Sequence, residues 1–263
     1  MPIQSCNILS HDQLAGDVYR LTFYSELISQ KAQPGQFVHI RVNDRYDPLL
    51  RRPFSIHDID HGTNGVSILF QVLGTGTHIL ASKKVGESVD VLGPLGRGFD
   101  MTTVQTKSVV VSGGIGIAPF PFLIRKLRAN GDFVVVVAGW KTAEEVVGID
   151  EMESLGIPVE VSTEDGSRGY TGTVVDLLQA RLEGWLSESN GLVLYTCGPG
   201  AMLAKVARLS RQHGLPCQVS LEEKMACGIG ACYGCGVQGT DENDYKLVCK
   251  DGPVFSIDEV ILR

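Results

Sequence analysis

The sequence predicts an α/β plus all-β protein in three parts: an N-terminal antiparallel β-barrel, a parallel α/β domain, and a small C-terminal cysteine-rich region. Three observations carry this. Short alternating runs separated by turn residues fill the first hundred positions, apolar strands then alternate with helical stretches, and four of the seven cysteines crowd into the final segment.

Over residues 1–101 the runs VYRLTFYS, GQFVHIRV, VSILFQVL and ESVDVLG are broken by turns such as Pro34-Gly35 and Asn64-Gly65. Period-two runs with such punctuation read as an antiparallel barrel or sandwich. Over residues 102–221 the strands SVVVS, FVVVVAG, PVEVST, LVLYTCG and CQVSL alternate with FPFLIRKLRAN, TVVDLLQARL and GAMLAKVARLSRQHG. This alternation predicts a parallel sheet with helices on both faces. Residues 222–263 are loop-rich and, on size alone, are expected to depend on a metal for their cohesion. No internal repeat or low-complexity segment interrupts the three parts.

Composition narrows the function classes. With 263 residues, 43% of them hydrophobic, the chain can bury two compact domains and an appendage. Its apolar runs fall well short of the roughly 20 residues of a membrane span. A net charge of −7, with no Lys/Arg cluster beyond pairs such as Lys83-Lys84, argues against nucleic acid as a partner. The N-terminal MPIQSCNILS has no basic-then-apolar signal, so a cytoplasmic protein with reduced thiols is expected.

Cys227, Cys232, Cys235 and Cys249 stand in CGIGACYGC and LVCKDG with the spacing C-x4-C-x2-C-x13-C. This is the plant-type ligand spacing of a 2Fe–2S cluster. Gly228, Gly230, Gly234 and Gly236 interleave the ligands, as a loop needing positive φ and N–H groups turned toward sulfur requires. A zinc site usually pairs two C-x2-C units, and a disulfide framework belongs to small secreted domains.

A second site is Ser112 to Pro119, reading S-G-G-I-G-I-A-P between a strand and a helix. Glycines there admit a diphosphate to the backbone and the helix N-terminus; a plain packing turn has the same composition. Cys197-Gly198-Pro199 ends another strand of the sheet, where ligands of open α/β sheets bind. Its small thiol either faces a reacting ring or is an ordinary buried cysteine. On the barrel, Arg51-Arg52-Pro53-Phe54-Ser55 offers a guanidinium for phosphate, with an aromatic and a hydroxyl for a flat heterocycle; read alone, it is equally a solvated turn. Leu69-Phe70-Gln71 then leads into Gly74-Thr75-Gly76-Thr77, whose N–H and hydroxyl groups suit a diphosphate.

R-P-F-S, G-T-G-T, G-G-I-G-I-A-P and C-G-P, in that order, resemble the ferredoxin–NADP reductase superfamily. With SLEEKMACGIGACYGC and the four-cysteine spacing added, nearly the whole chain resembles the family of electron-transfer subunits of dihydroorotate dehydrogenase B. The resemblance implies an NAD-dependent oxidoreductase subunit of pyrimidine biosynthesis. FAD would be lined by Arg52, Pro53, Phe54, Ser55, Leu69, Phe70, Gln71, Gly76 and Thr77, and NAD would meet Gly113, Gly114, Gly116, Gly198 and Pro199. Cys197 would be the catalytic residue beside the nicotinamide, and Cys227, Cys232, Cys235 and Cys249 would hold the 2Fe–2S cluster. The implied partner is an FMN-containing dihydroorotate dehydrogenase catalytic subunit, in a heterotetramer with two copies of each. A flavin is needed between a two-electron hydride carrier and a one-electron cluster.

Two other functions fit the same sequence: an NAD(P)H-dependent reductase component for another redox partner, and a zinc-containing scaffold subunit without activity. Many superfamily members end in an aromatic that stacks on the flavin, whereas this chain ends Val260-Ile261-Leu262-Arg263. For NAD against NADP, Lys141 would tolerate a 2′-phosphate and Glu144 or Glu145 would reject it. The loop Glu164–Gly169 is either a nucleotide contact or a plain turn. The six histidines show no metal spacing and read as surface or satisfied-core residues. Cys6 and Cys217 lie outside the ligand set, and Trp140 and Trp185 read as packing residues.

Overall fold

The computed structural model describes residues 3–102, 107–188, 191–241 and 244–262, with Met1, Pro2 and Arg263 outside them. Strands β1 (Ile3–Ala15), β2 (Val18–Tyr24), β3 (Phe37–Arg41), β4 (Arg52–Asp60), β5 (Gly65–Gln71) and β6 (Ser88–Leu95) form a closed barrel in the order β1-β2-β5-β4-β3-β6. Every pairing is antiparallel, and two short helices, α1 (Glu26–Lys31) and α2 (Thr75–Ala81), connect β2 to β3 and β5 to β6. Leu21, Phe23, Ile40, Ile56, Ile68 and Val91 point inward and are fully buried, as period-two side chains must be when a sheet closes on itself. Asn64, at φ 55°, closes the β4–β5 turn. Strand β1 escaped the sequence reading because IQSCNILSHDQLA is largely polar; only Cys6 and Ile8 turn into the core.

Strands β7 (Lys107–Gly113), β8 (Phe133–Trp140), β9 (Val159–Thr163), β10 (Tyr170–Thr171), β11 (Leu192–Cys197) and β12 (Cys217–Ser220) pair in parallel. Their order is β10-β9-β8-β7-β11-β12. Val109 and Val111 face α5 (Val174–Glu188) and α6 (Gly200–Gln212), while Val110 faces α3 (Phe120–Ala129) and α4 (Ile149–Ser154). Both faces are thus covered, and the order reverses between β7 and β11. A crevice opens at the carboxyl ends of such strands. The barrel is fixed to this layer by His57, whose Nδ1 donates to the Ala118 carbonyl at 2.7 Å and whose Nε2 pairs with Glu151 at 3.1 Å. Asp58 and Arg125 add an ion pair at 2.9 Å.

The terminal region corrects one expectation. Besides the hairpin β13 (Gly236–Gln238) and β14 (Tyr245–Leu247), it supplies β15 (Val254–Ser256), which runs antiparallel to β12 at the sheet edge with Val219 opposite Phe255. Leu247, Val248, Phe255, Ile257 and Val260 are buried in the same core cluster as α5 and α6. Hydrophobic packing on the sheet, and not metal alone, therefore holds this region. Phe255→Ala should lower the unfolding free energy by about 3–5 kcal/mol, measured by denaturant titration of metal-free protein. An unchanged midpoint would mean that the terminal segment is not part of the apo core.

Candidate functional site

A cleft of about 1210 Å³ runs along the crevice between barrel, sheet and terminal hairpin. Gly113, Gly114, Ile115 and Gly116 form its floor, Trp140, Lys141, Glu144 and Glu145 one end, and Gly198, Pro199 and Gly200 the other. Gly114 takes φ +55° with open space where a Cβ would stand, so its backbone faces the cleft. Gly116 has the opposite reason for being glycine: a Cβ there would overlap the Cys197 carbonyl. The strand-to-helix turn thus packs against the β11 turn at one glycine and opens at another. Such an exposed glycine floor suits a diphosphate.

Cys197 departs from its expected role. Its thiol is 1% exposed and does not line the cleft, and burial, with Glu222 adding to it, pushes the thiol far above its ordinary range. In this geometry it is a protonated packing residue beneath Gly198 and Pro199. The barrel lines the cleft through the β1–β2 turn, Ala15 to Val18, and through Gln71, whose side-chain N–H donates to Asp17 at 3.1 Å. Leu221, Glu222, Val237 and Leu262 close the hairpin side. None of these carries a local motif, because each comes from a different segment. The Glu164–Gly169 loop does not line the cleft; it braces the Lys141 loop, with Asp165 N–H donating to the Lys141 carbonyl at 3.2 Å.

On the barrel the two arginines separate. Arg51 donates to the Asp90 carboxylate at 2.9 Å and to the His39 and Asp90 carbonyls, which makes it structural. Arg52 donates only to the Leu50 and Arg51 carbonyls and meets no carboxylate among the described residues. Its Nε passes 2.8 Å from where a Cβ on Gly76 would lie, so the R-P-F-S strand and the G-T-G-T turn do converge. An uncompensated guanidinium at a glycine turn fits a phosphate. Thr77 is a cap: its hydroxyl accepts from the Leu73 and Gly74 N–H groups at 2.9 and 3.1 Å. Phe54 and Phe70 pack against each other inside the barrel, ring centres 5.6 Å apart, and Leu69 turns toward the sheet. These three side chains therefore do not reach a flat ligand on the surface, which leaves Arg52, Pro53, Ser55, Gln71 and backbone groups to do so.

The four expected ligand thiols stand as two pairs. Cys227 Sγ accepts from the Ala231 and Cys232 N–H groups at 3.3 and 3.4 Å and lies beside the Cys232 thiol. Cys235 Sγ accepts from Cys249 N–H at 3.4 Å, and Gly230 N–H reaches Cys249 Sγ at 3.1 Å. Burial works to raise Cys227, but the N–H groups of Ile229, Cys232 and Ala231 outweigh it and bring the thiol down to about 6. Burial and the neighbouring Cys235 push Cys249 up to about 12. Among the described residues no three His, Cys, Asp or Glu side chains converge on a single metal position. Two pairs, with N–H groups turned to sulfur, fit a two-iron cluster better than one tetrahedral zinc ion. Gly228 and Gly230 have the expected positive φ, at 71° and 81°, but in the second half of the loop it is Tyr233, at 61°, and neither Gly234 nor Gly236.

Residues 222–261 match the iron–sulfur cluster binding domain of dihydroorotate dehydrogenase B, and residues 110–208 match an oxidoreductase NAD-binding domain. The electron transfer subunit of dihydroorotate dehydrogenase B (NAD⁺) from Fusobacterium nucleatum is 38% identical, with 99% of each chain covered. Its counterpart from Geobacillus kaustophilus is 42% identical over 97% of each. The chain belongs to this family of electron transfer subunits. In structure it is similar to an NADH-dependent reduced ferredoxin–NADP oxidoreductase, with a TM-score of 0.86 at 29% identity, covering 98% of this chain and 90% of that one. A ferredoxin reductase of carbazole 1,9a-dioxygenase shares the fold at a TM-score of 0.69 and 20% identity, over 82% and 67% of the two chains. No helix among the described residues is long and apolar enough to cross a membrane.

Two outcomes test these sites. Arg52→Ala removes a charge-assisted contact of about 1.5–3 kcal/mol, so FAD should bind roughly tenfold to a hundredfold more weakly in equilibrium dialysis. Cys232→Ser should abolish iron retention while NADH still reduces bound FAD in stopped flow. Full iron in that variant would remove Cys232 from the ligand set.

Proposed function

We propose that the chain conducts electrons between an FMN-containing dihydroorotate dehydrogenase catalytic subunit and NAD⁺, through a 2Fe–2S cluster and FAD, in pyrimidine biosynthesis. One observation supports this most: paired thiols, an unpaired barrel arginine and a glycine-floored nucleotide cleft occur in one chain. When bound, the flavin supplies the exchange between hydride and single-electron transfer that neither NAD nor a 2Fe–2S cluster performs alone. The rest of the work is positioning. Arg52 would hold the flavin diphosphate, with Pro53, Ser55 and Gln71 beside it. Gly113, Gly114, Gly198 and Pro199 would admit NAD to the backbone, Leu221 and Leu262 would keep water from the hairpin side, and Cys227, Cys232, Cys235 and Cys249 would ligate the irons.

The cleft favours NAD over NADP. It carries Asp17, Glu144, Glu145, Glu222 and Glu223 against Lys141 alone, and a further phosphate would enter a field of its own sign. We assign residues 1–101 to the flavin part, 102–221 to the NAD part and 222–263 to the cluster part. The chain would act in the cytoplasm, two copies of it with two catalytic subunits making up a heterotetramer.

Dihydroorotate loses two electrons and two protons at the partner, and NAD⁺ takes up the two electrons with one of those protons. Co-expression with the catalytic subunit should give one complex on size exclusion and dihydroorotate-dependent formation of NADH. The chain alone should reduce artificial acceptors with NADH and leave dihydroorotate untouched. Separate elution with no NADH would favour the reductase-component reading, to which the likeness with the NADH-dependent oxidoreductase also points.

A further inference from the structure

His39 is the buried ionisable group that none of these sites uses. It lies on β3, fully buried, and its register partner across the ladder is Pro53 of the R-P-F-S strand. Its other side touches the cysteine loop: a Cβ on Gly228, the residue after Cys227, would lie 2.5 Å from His39 Nδ1. One imidazole therefore spans from the strand assigned to the flavin to the loop that carries the first thiol.

Neither ring nitrogen makes a hydrogen bond, although the Arg51 and Cys227 carbonyls face the ring. An imidazole carries at least one N–H in either protonation state, so a donor stands at this contact. Buried side-chain nitrogens nearly always find partners. Val38 and Ile40 on either side turn into the barrel core, so His39 faces the opposite way, toward the cysteine loop, where an aliphatic residue would leave no nitrogen without a partner. The Arg51 guanidinium fixes the strand below by donating to the His39 carbonyl at 3.3 Å and to Asp90 Oδ1 at 2.9 Å.

We propose that His39 is a positioning residue that seats the cysteine loop on the barrel and offers its ring N–H to the sulfur environment of the cluster, raising the cluster's reduction potential relative to the flavin. This rests on the cluster reading above. N–H groups directed at cluster sulfur favour the more negative, reduced form. His39 would supply from the barrel what Gly230 and Ala231 supply from within the loop.

The test is an EPR-monitored redox titration of the holoprotein, with iron, sulfide and FAD quantified in each variant. His39→Leu should retain all three and shift electron occupancy away from the cluster about tenfold, a fall of about 59 mV for a one-electron couple. His39→Gln, which restores an N–H donor, should return most of the potential. Iron loss in His39→Leu, with iron and potential retained in His39→Gln, supports the seating role equally. A fully loaded His39→Leu protein with unchanged potential overturns the inference, as do two variants that behave alike. Wild-type protein without iron sinks the cluster reading and this inference with it.

Discussion

The antiparallel addition of β15 to β12 is the contact on which the site depends. Gln218, Val219 and Ser220 pair with Ser256, Phe255 and Val254, and the segment just before β15 bridges to the barrel through Arg97 and Pro253. Arg97 adds an ion pair to Glu259 at 3.2 Å. One short strand thus ties the cysteine region to both other parts. Without it the thiols would sit on an unanchored loop, and the hairpin would not close the end of the nucleotide cleft.

The same arrangement explains how the electrostatics are divided. At the cysteine loop, backbone N–H groups converge on sulfur and Cys227 is brought down to about 6, which favours the thiolate that iron requires. In the cleft, carboxylates dominate the walls and the floor is largely glycine backbone, so a diphosphate entering it would meet N–H groups more than cations. On the barrel Arg52, beside the glycine turn, meets no carboxylate among the described residues. Each surface selects its ligand by what it leaves unsatisfied.

Much of this was legible in the sequence, for identifiable reasons. The valine-rich strands of the sheet announce themselves because burial on both faces demands continuous apolar runs. The four cysteines show because ligand spacing is local. Strand β1 did not show, since only Cys6 and Ile8 face inward along its length. The direction of Phe54 was lost for a related reason: the strand's period places it inside while its neighbours in the motif stay out, and the motif alone does not fix that phase. For Cys197 the sequence leaves a thiol facing a reacting ring and an ordinary buried cysteine both open, because a turn at a strand end fits either. His39 was read as satisfied or superficial, and its contact with Gly228, far off in sequence, had no local signal at all.

Whether the paired thiols hold a two-iron cluster or a single zinc ion decides the rest of the site. Anaerobically purified chain, analysed for iron, acid-labile sulfide and zinc together, tests it most directly. About two iron and two sulfide per chain are expected, as a 2Fe–2S centre requires. About one zinc with no sulfide would contradict the two-iron cluster.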